Sequence, residues 1–239
     1  MTFGPWEGSF STDGDMVAIS CEKAGAVTGF AYKVSTDEKS PDIKASSVDK
    51  AAMGSVRISP KGTYLVWQFS PDKLVVTDLQ GEEITTLPNN YISHFDVITD
   101  ADGEEVIVGR VNSGDVGQGE SGLISKYRLR DGQRTGLSKG GWCSHTSVRA
   151  QKTHRWAIAD AGDEGDNYPP YNGELIMCDL DGSAVYRLCH THVPKTVDYV
   201  AQTQASHSPD GGRVIFASAW GGSGDEPRPV GCYVVDFRT

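Results

Sequence analysis

The stretch ASHSPDGGRVIFASAW, at residues 205–220, combines a turn with a short apolar run. Pro209 restricts φ to a value that suits a turn, and Gly211 or Gly212 accepts the positive φ that closes it. The run that follows is rich in β-branched and aromatic residues and is too short for a typical helix. The stretch therefore predicts a β-hairpin.

The same strand–turn–strand pattern occurs five times along the chain, with further hairpin turns predicted at Gly62 and Gly103. The units begin near residues 8, 54, 93, 144 and 205, about 40 to 60 residues apart. Most continue with a strand that ends near an Asp and a second turn, as in DLQGEE (78–83) and DLDGSA (179–184). This spacing of four short strands predicts an all-β fold, a β-propeller of about five blades that forms one domain over residues 1–239.

Length and composition agree with one large all-β domain. The chain has 239 residues, of which 28 are Gly and 11 are Pro, so many turns are expected. The polar run at residues 35–53 predicts a loop with an edge strand, or one short helix. Five scattered cysteines without a CxxC motif predict reduced, packed thiols, with a Cys178–Cys189 pair as the alternative.

The charge restricts the classes of partner. The formal net charge is −10, which disfavours binding to nucleic acid or to an anionic membrane. No apolar run reaches the roughly 18 residues that a membrane helix needs, so no membrane insertion is expected. The N-terminus has no signal-peptide pattern, which leaves a cytoplasmic protein, a removed leader or a start inside a longer gene as alternatives.

Two motifs resemble known proteins. VRISPKGTYLVWQ (56–68) and ASHSPDGGRVIFAS (205–218) resemble the blade motif of TolB-like, WD40-like propellers. Together with SHTS (144–147) and QTQASHSPDG (202–211), they also resemble the propeller lyases that cleave oligogalacturonate. Those lyases resemble seven-bladed propellers, so part of a larger seven-bladed ring is the alternative. A compact ring is favoured because an open ring exposes strand edges.

A cluster of polar side chains precedes the inner strands of the fourth and fifth units. In a propeller, such segments line one face of the central channel. Imidazole and amide groups that converge there could hold a divalent transition metal, and the alternative is a set of polar loop residues. The candidate metal ligands are His145, His190, His192, Gln202 and Gln204. The resemblance implies manganese, held by His145, His192 and one of the two glutamines.

The resemblance also implies a lyase reaction, in which a base removes the proton α to a uronate carboxylate. His145 or Lys195 would serve as the base, and Arg149 would neutralise the carboxylate. Tyr199 would protonate the leaving oxygen. The structural alternatives are a salt-bridged strand residue for Arg149 and a core aromatic for Tyr199.

An acidic loop at residues 160–174 follows the second strand of the fourth unit. Its carboxylates could bind calcium, whereas the alternative is a solvated acidic loop. Three aromatic residues in this loop and its counterpart in the fifth unit are candidates for stacking on a sugar ring: Tyr168, Tyr171 and Trp220.

Two functions remain open from the sequence. The first is a carbohydrate-active propeller, a metal-assisted polysaccharide lyase that acts on an acidic saccharide by β-elimination. The second is a non-catalytic, TolB-like propeller that binds a protein or glycan at the channel mouth.

Overall fold

The computed structural model describes most of the chain. The described residues are 2–3 (backbone only), 10–23, 25–69, 73–87, 92–111, 122–162, 170–193, 202–220 and 230–237. Within them, the strands form separate antiparallel sheets, and each sheet is built from strands that are consecutive in the chain. The predicted all-β fold is confirmed.

The first two sheets occupy the N-terminal part of the chain. Sheet 1 contains β1 (Thr2–Phe3), β2 (Met16–Lys23), β3 (Ala26–Lys33) and β4 (Glu38–Lys39), and β5 (Ile43–Lys44) also pairs with β3. A one-turn helix, α1 (Ala45–Val48), follows. The polar run at 35–53 therefore holds both short strands and a short helix. Sheet 2 contains β6 (Met53–Ile58), β7 (Leu65–Phe69), β8 (Lys73–Thr77) and β9 (Glu83–Thr86).

Three further sheets follow the same order. Sheet 3 contains β10 (Ile92–Thr99), β11 (Glu105–Val111), β12 (Ile124–Arg128) and β13 (Arg134–Gly136). Sheet 4 contains β14 (Cys143–Ser147), β15 (Trp156–Ala161), β16 (Glu174–Asp179) and β17 (Val185–His190). Sheet 5 contains β18 (Ser206–His207), β19 (Arg213–Ser218) and β20 (Gly231–Asp236). Sheets 2, 3 and 4 thus have the four strands predicted for each unit.

The predicted turns between the first two strands are confirmed in sheets 2, 3 and 5. Gly62, Gly103 and Gly211 have φ of +73°, +78° and +71°. In each turn the glycine N–H donates to the carbonyl three residues earlier. Gly211, rather than Gly212, is the residue with positive φ in sheet 5.

Buried apolar side chains lie between successive sheets. Pairs from neighbouring sheets share one cluster each: Ala31 and Val56, Val76 and Ile107, Val108 and Ile176, Ile158 and Phe216. Gly29 is required by this packing, because a Cβ at that position would lie 2.7 Å from the Trp67 ring. On the other face of sheet 5, Ile215 and Val234 are opposite each other and are 46% and 58% exposed.

All five cysteines are free thiols, so the Cys178–Cys189 pair is not formed. The predicted packing is confirmed for Cys21, Cys143 and Cys178, whereas Cys189 is half-buried and Cys232 is exposed. Burial raises the pKa of Cys178 to about 12 and raises that of Cys143 well above its usual value, which keeps both thiols protonated. No helix in the described part of the chain is long and apolar enough to cross a membrane.

Candidate functional site

A cavity of about 730 Å³ lies where the inner strands of sheets 2 to 5 begin. Each of these sheets contributes residues from the start of its inner strand, or from just before it. The residues that line it include Gly54, Arg57, His94, Phe95, Asp96, His145, Arg149 and Gln204. A segment that precedes or begins an inner strand was the predicted location of a ligand site.

Backbone irregularities aim side chains into this cavity. The inner strands β6, β10 and β14 each change register near their start, between Met53 and Ser55, Ser93 and Asp96, and Cys143 and Thr146. A bulge of this kind redirects the side chain of the extra residue. His94 and Gln204 also have positive φ, +49° and +43°. Non-glycine residues rarely adopt this conformation, and such strain is concentrated at functional sites.

The His145 imidazole is held by a buried carboxylate. Its Nδ1 lies 3.1 Å from Oδ2 of Asp160, and the His145 backbone N–H donates to the other oxygen of the same carboxylate. An ionised carboxylate can only accept, so it favours the tautomer with the proton on Nδ1. Nε2 then carries the lone pair, and because this nitrogen is buried, neighbouring groups must move before a ligand can reach it. The His94 ring meets the His145 ring edge-on, with centroids 4.7 Å apart.

Two arginines flank a buried aspartate in the same cavity. Arg149 Nε lies 2.9 Å from Asp96 Oδ2, and that carboxylate also accepts hydrogen bonds from the backbone N–H groups of Val97 and Val148. Arg57 donates to the Phe95 carbonyl at 2.6 Å and stacks on the Phe95 ring.

Burial raises the pKa of Asp96, and the nearby Arg149 guanidinium acts in the opposite direction. Two guanidinium groups lie beside the Asp96 carboxylate, whereas the second carboxylate of the site, Asp160, lies against His145. The Arg57 and Arg149 end of the cavity can therefore bind an anionic group of a ligand.

The predicted site residues divide into three groups. His145, Arg149 and Gln204 line the cavity. Gln202, His190, His192, Tyr171 and Trp220 are described but are not among the residues that line it. Tyr168, Lys195 and Tyr199 lie outside the described residues, and their roles stay predictions.

The placement of the two glutamines requires a correction. The two-residue period of a strand predicts that Gln202 and Gln204 alternate with Thr203 along the inner strand of sheet 5, but β18 begins only at Ser206. Gln204 instead reaches the cavity through a backbone with positive φ. The sequence also places His154 in the turn between the first two strands of the fourth unit, which the structure confirms; its Nδ1 is 2.7 Å from the Thr99 carbonyl oxygen.

The Tyr171 side chain packs against the core and does not project freely into solvent. It is partly buried against the cluster between sheets 3 and 4, and a Cβ on Gly141 would lie 3.0 Å from its ring. Burial raises the pKa of the Tyr171 hydroxyl. Its predicted contact with a sugar stays a prediction.

The predicted metal site does not assemble in the described residues. A resident transition metal is usually held by three or more protein donors. In the part of the chain described here, no group of three or more His, Cys, Asp or Glu side chains could hold a metal ion. His145 and Gln204 lie in the cavity, whereas the His192 ring packs against Trp220. These residues do not fit a resident manganese ion. The calcium prediction concerns the loop at 160–174, of which residues 163–169 lie outside the described residues, so it stays a prediction.

Three residues of the site were not predicted from the sequence: Arg57, Asp96 and Asp160. His94 was a candidate, because it stands at the start of the inner strand of the third unit. One signal was present, because the tripeptide Ser-Val-Arg occurs at both 55–57 and 147–149. Its repetition places two arginines at equivalent positions of sheets 2 and 4. Asp160 left no such signal, since it is 15 residues from His145 and meets it only through the pairing of β14 with β15.

Successive antiparallel sheets, packed face to face with a cavity at the start of their inner strands, define a β-propeller. Solved structures share this fold over nearly the whole chain. An oligogalacturonate lyase in complex with manganese has a TM-score of 0.68 and 11% identity, over 99% of this chain and 66% of that one. The oligogalacturonate lyase of Vibrio parahaemolyticus has a TM-score of 0.63 and 14% identity, over 98% and 66%.

TolB from Acinetobacter baumannii has a TM-score of 0.57 and 15% identity, over 97% of this chain and 51% of that one. This chain thus spans about two thirds or less of the length of these structures. No protein-family model matches the sequence. No curated protein matches it either. At these identities the similarity shows the fold, and the resemblance to lyase-like and TolB-like propellers is confirmed at that level.

Proposed function

We propose that this chain binds an acidic saccharide in the cavity and cleaves it by β-elimination. The observation that carries the proposal is the placement of a carboxylate-held imidazole, His145, in the same cavity as two guanidinium groups, Arg57 and Arg149. The lyase neighbours share the fold and support the choice of substrate class.

The reaction needs a base and a cation. Nε2 of His145 is buried in the structure, so the ligand must displace its neighbours; it then takes the proton at the carbon α to the uronate carboxylate. The electron pair of that C–H bond forms the new C=C bond, and the bond from the neighbouring carbon to the glycosidic oxygen breaks. The guanidinium groups of Arg57 and Arg149 stabilise the negative charge that develops on the carboxylate. Tyr199 stays the predicted proton donor to the leaving oxygen.

The test is an assay for the unsaturated uronate product, by its ultraviolet absorbance, with galacturonate oligomers as substrate. Loss of the base should lower the rate about 10²- to 10⁴-fold in His145→Ala. His154→Ala is the matched control, because His154 lies in the turn between β14 and β15, at the other end of the strands of sheet 4. Equal rates in both variants would overturn the role of His145.

Calorimetry with the same oligomers separates binding from cleavage. If wild-type protein binds the oligomers by calorimetry but forms no unsaturated product, the chain is a binding propeller and not a lyase. If it neither binds nor cleaves them, the acidic-saccharide proposal is wrong.

A further inference from the structure

A column of aromatic rings runs outward from the core of sheet 5. The Phe216 and Tyr233 centroids are 5.6 Å apart, and the Tyr233 and Trp220 centroids are 4.8 Å apart. The His192 ring continues the column, 4.4 Å from Trp220. Phe216 is buried, whereas Trp220 is 48% exposed and His192 is exposed. The column therefore presents aromatic surface to solvent at its outer end.

Buried hydrogen bonds hold the two outer rings in place. The Ser218 hydroxyl donates to the Thr191 carbonyl at 2.6 Å and accepts from the Trp220 backbone N–H at 2.9 Å. Both Ser218 and Thr191 are at most 2% exposed. His192 and Trp220 adopt positive φ, +52° and +48°. Such backbone is strained and persists only where the surroundings hold it.

The column lies at the same strand ends as the cavity. Strand direction alternates within each sheet. In sheet 4, β17 therefore ends on the side where β14 begins, and in sheet 5, β19 ends on the side where β18 begins. His192 and Trp220 follow those two strand ends. The Ala217 N–H donates to the Thr203 carbonyl at 2.9 Å, and Thr203 precedes Gln204 in the cavity lining. The cavity and the column therefore lie at the same strand ends and are linked through the Thr203–Ala217 hydrogen bond.

An exposed polar group lies beside the outermost ring. The His190 and His192 ring centroids are 6.2 Å apart, and the His190 side chain is 64% exposed. An aromatic ring face beside an exposed imidazole matches a sugar ring, which has an apolar C–H face and a polar rim.

We propose that Trp220 and His192 form an outer saccharide subsite, so that the chain binds an oligosaccharide that spans the cavity and the aromatic column. This inference rests on the proposed function for the nature of the sugar. It adds a requirement for the length of the saccharide, since a short oligomer occupies only the cavity, whereas a long oligomer also reaches Trp220.

The test is calorimetry with digalacturonate and hexagalacturonate. Wild-type protein should bind the hexamer more tightly than the dimer. Trp220→Ala should weaken hexamer binding about tenfold and leave dimer binding within about twofold, because it removes both the exposed part of the indole and the ring that supports the outermost His192 ring. Trp220→Phe keeps an aromatic face and should retain most of the affinity. Tyr186→Ala is the matched control, an aromatic residue that is 41% exposed in the outer strand of sheet 4.

The possible failures are distinguishable. If the wild-type protein prefers the hexamer and both Trp220 variants bind it as tightly as wild type does, the outer subsite is wrong and the proposed function stands. Equal dimer and hexamer affinity in wild type also overturns the subsite. If wild type binds neither oligomer, both proposals fail. An equal loss for dimer and hexamer in Trp220→Ala would show a general structural effect and would overturn the length-dependent role.

Discussion

His145 Nδ1 lies 3.1 Å from Oδ2 of Asp160, and Asp160 is only 4% exposed. The aspartate lies on β15, the strand next to the one that carries the histidine. One carboxylate therefore fixes both the backbone and the ring of His145. The pair orients the imidazole before any ligand arrives, which is what a general base requires.

Asp160→Asn should lower the rate of uronate elimination about 10- to 100-fold, because an amide no longer selects the Nδ1–H tautomer. The measurement is the steady-state rate with galacturonate oligomers, compared with the unfolding midpoint of the same variant. The expected loss is in kcat, with little change in KM. A variant that keeps wild-type kcat would show that Asp160 does not position the base.

Arg149→Ala should weaken binding of an acidic oligomer and destabilise the fold. The substitution removes one cation from the cavity and leaves the buried Asp96 carboxylate without its 2.9 Å partner. Arg130→Ala is the matched control, because its side chain is also about half exposed in an ion pair, with Glu104, but lies away from the cavity. Calorimetry should show the binding loss for Arg149→Ala alone. Equal affinity in both variants contradicts the role of Arg149.

Gly109→Ala should disturb the bulge that carries His94. A Cβ at position 109 would lie 2.2 Å from Ile92 Cγ2 and 2.8 Å from Phe95 Cβ, so β10 must shift. Overpacking of this kind costs about 1–3 kcal/mol, measured by urea unfolding. Gly54→Ala is the control, since its nearest neighbour would be at 3.6 Å, an ordinary contact. Equal stability of the two variants would mean that β10 is not closely packed there.

Gly103→Val should destabilise the fold by roughly 1 kcal/mol or more through backbone strain alone. Its φ is +78°, and no atom would contact an added Cβ within 4 Å. Gly136→Val is the matched control, because that glycine also has open space around it but shows no positive φ. Thermal unfolding should separate the two. An unchanged midpoint for Gly103→Val would contradict the turn conformation.

His207 should make the fold less stable in mild acid. It is 5% exposed, and neither ring nitrogen has a hydrogen-bond partner in the described structure. Burial lowers its pKa from 6.5 to about 4. Between these values the unfolded chain binds a proton that the folded chain does not, so stability falls as the pH is lowered from about 6.5 to about 4.

The full pKa difference corresponds to roughly 3 kcal/mol. Urea unfolding of wild type and His207→Leu at several pH values measures this contribution. The variant should lose part of the pH dependence in that window, since the carboxylates are common to both proteins. Identical pH profiles would show that His207 is not the group responsible.

The repeat pattern was sufficient to predict the class of fold. Pro-Gly turns and alternating apolar strands depend on local conformational preferences, which act within a few residues. The turn glycines at 62 and 103 were therefore predicted correctly. The free cysteines were predicted for another reason, since their scattered positions show no CxxC motif. The histidine at position 145 was also found, because it precedes a predicted inner strand.

The composition of the site depended on the tertiary structure. Arg57, Asp96, Arg149 and His145 come from three different sheets, and their distances follow from how those sheets pack. Sequence order grouped His145 with His190 and His192, whereas the fold places His192 against Trp220 and His145 against His94 and Asp160. Bulges and positive φ values also redirect side chains in ways that a strict two-residue period does not predict.

The sequence by itself determined that this chain forms turns and short strands in repeated units, because those preferences are local. The tertiary structure decided which polar groups meet, because a bulge in β10 or β14 and the packing of sheets 2 to 5 bring together residues that are as far apart in the chain as Arg57 and Gln204.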